Sequence, residues 1–234
     1  MQPLWPFYGS KWRDAKRYGA PRGDLVIEPF AGSAGYSTFY APKRVMLYDV
    51  DPYVVGVWRY LIGASAAEIL ALPDLEVGQN VDTLHVPQEA KWLIGFWLNR
   101  GSSSPKKTKT AYSARTDRQQ LVWSQRARER IAANIDGVRH WTITEGDYRN
   151  APAEPAATYY VDPPYGDKGK YYRCRNVDLV ALGEWCRSLP GHVIACEQEG
   201  ATWLPFRPLA SIKSSKGRSS EAIWTNCPTM SASQ

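Results

Sequence analysis

Thr158-Tyr159-Tyr160-Val161-Asp162-Pro163-Pro164-Tyr165 decides how this 234-residue chain is read. Four residues suited to a buried strand run straight into an acid, two prolines and an aromatic ring. The prolines carry no backbone N–H, so they cannot continue a sheet ladder. Their carbonyls stay behind as acceptors with fixed directions. An acid, a carbonyl and a ring therefore converge at one strand end. The plain alternative is a turn whose Asp caps the next element.

Working outward, other strands end in the same way. Asp24-Leu25-Val26-Ile27-Glu28-Pro29-Phe30 is a short apolar run, as expected of a buried parallel strand, and it breaks into Ala31-Gly32-Ser33-Ala34-Gly35. The glycines suit close approach of backbone to a ligand, or simply a tight strand-to-helix turn. They do not make the full three-glycine dinucleotide pattern. Arg44-Val45-Met46-Leu47-Tyr48 ends in Asp49-Val50-Asp51-Pro52. Asp49 can accept from ribose hydroxyls. Asp51 can cap a helix that starts at Pro52. His140-Trp141-Thr142-Ile143-Thr144 ends at Gly146-Asp147-Tyr148. Helices are expected from Tyr36, over 91–98, over 119–132 and over 177–189. His192-Val193-Ile194-Ala195-Cys196 reads as a further strand, and residues 209–226 as a closing hairpin with a basic turn.

Strands alternating with helices imply an α/β parallel sheet, and ligands in such sheets bind beyond the carboxyl ends of the strands. Gly32, Asp49, Asp147 and Asp162 all fall at such ends. The expected organisation is a sheet domain from residues 1–62 and 140–234, with a mainly helical insert at 63–139. The insert carries a polar, basic loop from Asn99-Arg100 through Lys106, Lys107 and Lys109 to Arg115 and Arg118.

Composition narrows the class. Hydrophobic residues make up 44% and charged residues 22%, which excludes a wholly disordered chain. The formal charge of +6 and pI near 9.1 suit a polyanionic partner. The four cysteines and three histidines show no metal-ligand or redox spacing, so no metal is expected and the thiols read as reduced, in a cytoplasmic protein. No stretch suggests a signal peptide or a membrane span.

Taken in order, these motifs resemble the D12 (Dam-like, α-order) family of DNA adenine-N6 methyltransferases. Phe7-Tyr8-Gly9-Ser10-Lys11 is similar to the family's N-terminal aromatic-Pro-Gly-Gly-Lys motif, with Tyr8 in place of Pro and Ser10 in place of the second Gly. Residues 28–35 resemble its cofactor glycine loop, and Asp49-Val50-Asp51 its Asp-Ile-Asn. Gly146-Asp147-Tyr148 resembles the acid-aromatic step against the cofactor adenine. Asp162-Pro163-Pro164-Tyr165 matches the catalytic motif without change, and residues 219–226 resemble the strand ending in Thr225-Asn226. The resemblance implies a Rossmann-like methyltransferase sheet and S-adenosylmethionine as cofactor. Phe7, Tyr8, Lys11, residues Pro29 to Gly35, Asp49, Val50, Asp147, Tyr148 and Asp162 are expected around that cofactor.

The expected substrate is the N6 amine of an adenine flipped out of double-stranded DNA, since chemistry on a base edge needs that extrusion. The Asp162 carboxylate and the Pro163 carbonyl would accept its two N–H groups, and Tyr165 would stack on the ring. Asn99, Arg100, Lys106, Lys107, Lys109, Arg115, Arg118 and the loop residues Lys168, Lys170 and Tyr171 are expected to meet nucleic acid. The insert lacks the longer Dam-type recognition sequence, so no target site is implied. A monomer is favoured. An amino methyltransferase of ribosomal RNA and a non-catalytic DNA-binding relative are the alternatives.

Overall fold

Leu25–Glu28 (β1) and Ala157–Val161 (β4) are buried along their whole length, which only a sheet covered on both faces permits. They are neighbours at the centre of a seven-stranded sheet in the computed structural model, which describes residues 1–99, 101–114, 122–165, 172–174, 176–214 and 217–227. The other strands are β2 (Arg44–Asp49), β3 (Thr142–Glu145), β5 (His192–Gln198), β6 (Arg207–Ser214) and β7 (Gly217–Thr225). Their spatial order is β3-β2-β1-β4-β5-β7-β6. β3, β2, β1, β4 and β5 are parallel, and β7 is antiparallel to both its neighbours. This is the mainly parallel, Rossmann-like α/β sheet that the sequence leads one to expect. Strand order reverses between β1 and β4, which creates the crevice where ligands of open α/β sheets bind.

Alternation along the strands builds the core on two faces. Leu25 and Ile27 of β1 and Tyr159 and Val161 of β4 pack toward α7 (Leu179–Ser188), whereas Val26 and Tyr160 pack toward α1 (Ala15–Tyr18) and α2 (Gly35–Tyr40). Val45 and Leu47 of β2 join a third cluster with the helices that precede β3. β3 lies at the sheet edge, and its side chains are mostly exposed.

Local chemistry sets the helix starts. The Asp51 carboxylate accepts from the Tyr53 N–H at 2.9 Å and caps α3 (Pro52–Gly63), with Pro52 in the first turn. Ser65 and Glu68 form a reciprocal capping box on α4 (Ala66–Ala71). Asp178 accepts from Val180 and Ala181 and starts α7.

The region between α4 and β3 departs from expectation in two places. Of the helix expected over 119–132, α6 covers Gln125–Ala132, residues 122–124 are not helical, and 119–121 lie outside the described residues. Before it, Val122 and Trp123 turn into the core, and Trp123 Nε1 donates to the Pro73 carbonyl at 2.8 Å. The basic loop is not a free excursion either. The Lys107 and Lys109 carbonyls accept from Val81 and Gly78, and the Lys109 N–H donates to Gln79. Lys106 N–H donates to Gly95 on α5 (Gln88–Leu98). Gly95 permits that approach, since a Cβ there would stand 2.6 Å from the Lys106 carbonyl oxygen.

Candidate active site

A cavity of roughly 580 Å³ opens at the carboxyl ends of β1, β2, β3 and β4. It is formed by the glycine turn after β1, Asp49 and Val50 after β2, Asp147 and Tyr148 after β3, and Asp162 and Pro164 after β4. The N-terminal segment, with Phe7, Tyr8 and Lys11, closes it on one side. Pro29, Phe30, Ala31, Gly32, Ser33 and Gly35 all line it.

The glycine turn is shaped from two sides. Gly32 has φ +45°, and a Cβ there would lie 2.9 Å from the Phe7 ring. A Cβ on Gly35 would meet the backbone nitrogens of Lys11 and Trp12 at 2.9 and 2.8 Å. The glycines therefore admit the N-terminal segment as well as any ligand. Asp49 fastens the turn: its Oδ2 accepts from the Gly32 N–H at 3.0 Å and its Oδ1 from Asp51 at 2.9 Å. Burial pushes the Asp49 carboxyl up to about 6 in spite of those bonds. Asp147 is gripped by Arg149 at 2.7 Å, which holds its carboxyl below the usual range. Phe30 and Tyr148 stack with centroids 5.9 Å apart and form an aromatic wall. Ser33 donates to Ser10 at 3.0 Å.

Asp162 has a partner from the far end of the sequence. Lys11 Nζ donates to its Oδ1 at 3.0 Å and its Oδ2 at 3.2 Å. Burial pushes the Asp162 carboxyl up, and the Lys11 ammonium pulls it back. Burial also works against the charge on Lys11, but Asp162 and Glu221 outweigh it and keep the amine protonated. Lys11 was expected at the cofactor. It lines the cavity, but its bonds are to the acid at the end of β4.

Three expected site residues do not line the cavity. Ala34 starts α2 in the left-handed region, at φ 47°. Pro163 is buried. Tyr165 was expected to stack on a base. Instead its ring is buried, Lys11 Nζ covers one face at 4.3 Å from the centroid, and its hydroxyl donates to Glu221 Oε2 at 2.9 Å. That ring is taken up by the ion cluster.

Other lining residues were not anticipated. Glu28 is 2% exposed, accepts from the Ser37 N–H at 2.7 Å, and is pushed by burial up to about 8. It closes a buried strand just as Asp49 does, so the same strand-end logic reaches it. Tyr172, Arg173 and Asn176 line the outer side. Glu221 lies beyond the cavity but touches Lys11, and only the fold brings it there.

A second concavity, of roughly 1040 Å³, shares Phe7 and Ser10 with the first. Arg13, Asn99, Lys106, Lys107, Tyr112 and Arg130 line it, and no Asp or Glu does among the described residues. Lys107 also pairs with Asp82 at 2.8 Å. Lys109, expected at nucleic acid, does not line this surface. Its Nζ donates to the Leu75 carbonyl at 2.6 Å, which ties the loop to the segment after α4. Arg100, Arg115, Arg118, Lys168, Lys170 and Tyr171 lie outside the described residues.

Among the described residues, no cluster of His, Cys, Asp or Glu is arranged to hold a metal ion, and no helix is long and apolar enough to cross a membrane. The four cysteines form no disulfide.

No family model matches the chain, and no curated protein matches it. Among solved structures it is similar to a Haemophilus influenzae protein provisionally described as a methylase. Identity is 10% and the TM-score 0.37, over 94% of this chain and 88% of that one. A likeness so distant carries no argument about chemistry, which rests on the residues themselves.

Proposed function

We propose that this protein methylates the N6 amine of adenine in DNA, with S-adenosylmethionine as methyl donor. One observation carries the reading: Asp162 and Pro164 open into the same cavity as the glycine turn, Asp49 and Asp147. The cavity volume lies within the roughly 300–1,000 Å³ typical of small-molecule sites. Its donor set suits the cofactor. Asp49 offers a carboxylate to ribose hydroxyls, and Phe30 with Tyr148 offers an aromatic wall to a purine. Asp147 stands beside that wall to meet a base edge.

The bound cofactor would supply a methyl group made electrophilic by a positively charged sulfur. Asp162 accepts an N–H of the target amine and stabilises the positive charge that grows on nitrogen. Catalysis then rests on position and electrostatics, and no cysteine nucleophile is required. The second concavity supports a polyanion as substrate, because its cationic side chains can follow a phosphate backbone toward the shared wall at Phe7 and Ser10.

Tritium transfer from labelled cofactor tests the reading on unmethylated genomic DNA against ribosomal RNA. Label should enter DNA as N6-methyladenine, and label found only in RNA overturns the substrate. Asp162→Ala should abolish transfer while leaving DNA retention largely intact.

A further inference from the structure

Glu221 points from β7 into the Asp162 end of β4. Its Oε2 accepts from the hydroxyls of Tyr165 at 2.9 Å and Tyr18 at 3.3 Å. The same oxygen lies 3.9 Å from Lys11 Nζ. The ammonium thus stands between two carboxylates, bonded to both oxygens of the nearer one and within ion-pair reach of the other. All three side chains are at most 19% exposed.

This arrangement poses a problem for Asp162. An acid that gives both oxygens to Lys11 is poorly placed to accept a substrate N–H. Releasing Lys11 into a buried site with no other acid would strand a charge, at a heavy desolvation cost. Glu221 removes that cost. Its hydroxyl partners pin Oε2 on the Lys11 side.

We propose that Glu221 is a positioning residue that gives the Lys11 ammonium a second berth, so that Asp162 can let go of Lys11 and turn to the substrate amine. The amine belongs to the methyltransferase reading, on which this role rests. The second berth itself is a property of the free protein. Other titratable groups facing the cluster are Tyr18 from α1, Tyr160 and Tyr165 at β4, Tyr172, Cys196 and Glu197 from β5 and Glu28 from β1. Burial pushes the phenols and the thiol up, so they stay neutral. Glu28 is a carboxyl pushed up to about 8. Asp162 and Glu221 are the two carboxylates within ion-pair reach of Lys11 among the described residues.

Two measurements on the full chain test this. The first is the protected ammonium signal of Lys11 in nitrogen-15 NMR, assigned by its absence in Lys11→Met. It should persist in Asp162→Asn, where Glu221 alone holds the charge, and vanish in Asp162→Asn/Glu221→Gln. Loss in Asp162→Asn as complete as in the double variant overturns the second berth. The second is the pH profile of methyl transfer. Glu221→Gln should lower kcat at least tenfold with KM for DNA and cofactor within twofold. It should also move the acid limb to lower pH, because Asp162 no longer feels a like charge. Glu221→Asp should restore part of the rate. Transfer within twofold of wild type in Glu221→Gln, or an unmoved acid limb, overturns the positioning role.

The two readings fail separately. If wild type methylates no nucleic acid but the ammonium survives in Asp162→Asn, the activity falls and the second berth stands. If wild type methylates DNA and the ammonium does not survive, the reverse holds.

Discussion

Glu28 links stability to pH through a single side chain. Its carboxyl moves from an ordinary 4.5 to about 8 on folding, through burial. Below the lower value both states carry the proton, and above the upper value neither does. Between them the folded state holds more protons, so its contribution to stability is present in acid and is lost as pH rises. The effect is on the order of a few kcal/mol. Asp49, pushed up to about 6, adds to the slope at its acid end. Glu28→Gln keeps an acceptor for the Ser37 N–H and removes the charge. Urea denaturation should find this variant more stable than wild type at about pH 8, with a flatter decline from about pH 5. A slope as steep as that of wild type would disprove the assignment. Asp49, Asp147 and Asp162 stood out in the sequence because each follows a run suited to a strand, whereas Glu28 lies inside the run read as the first strand and did not. The bond from Lys11 to Asp162 was not legible. It joins residues 151 positions apart, and no local pattern announces such a partner.

The contact of the glycine turn with the N-terminal segment is a property of two elements together. Gly32→Ala should cost about 1–2 kcal/mol from the left-handed backbone alone, and more from the Phe7 ring that the new methyl meets. Phe7→Ala should recover the second part and leave the first. A double-mutant cycle by chemical denaturation reads the difference as a coupling energy. Strict additivity of the two changes would mean that the segment does not press on the turn. A similar test applies to α3, whose last carbonyls, those of Ile62 and Gly63, accept from Arg139 at 3.0 and 2.9 Å. Arg139→Ala should lower stability by about 1 kcal/mol in the same assay. Helix starts were readable, because Asp51 and Pro52 declare them in adjacent residues. The held shape of the Lys106–Lys109 stretch was not. Backbone hydrogen bonds to residues 78–81 and 95 impose it, and its side chains look like those of any solvated basic loop.

Charge acts on the scale of the whole chain. The +6 excess and the cationic side chains of the concavity next to the cavity predict DNA binding that weakens steeply with salt. Arg13→Ala and Lys106→Ala should each reduce the slope of log affinity against log salt by about 0.9, if each meets one phosphate. Fluorescence anisotropy with duplex DNA over a salt series measures this, and an unchanged slope removes that residue from the interface. The parallel sheet was readable from alternating strands and helices. Its order was not in the pattern itself, since nothing local tells β7 to enter between β5 and β6.

That entry ties the ion cluster to two distant parts of the chain. β7 follows the other described strands in sequence, yet it fills an interior slot and brings Glu221 with it. Lys11 and Asp162 both precede β6, so the second acid joins their pair from a later stretch of the chain. Its strand pairs with β5 antiparallel, unlike the parallel pairings among β3, β2, β1, β4 and β5. Loss of β7 would therefore take Glu221 from the ion cluster and bare the β5 edge in one step.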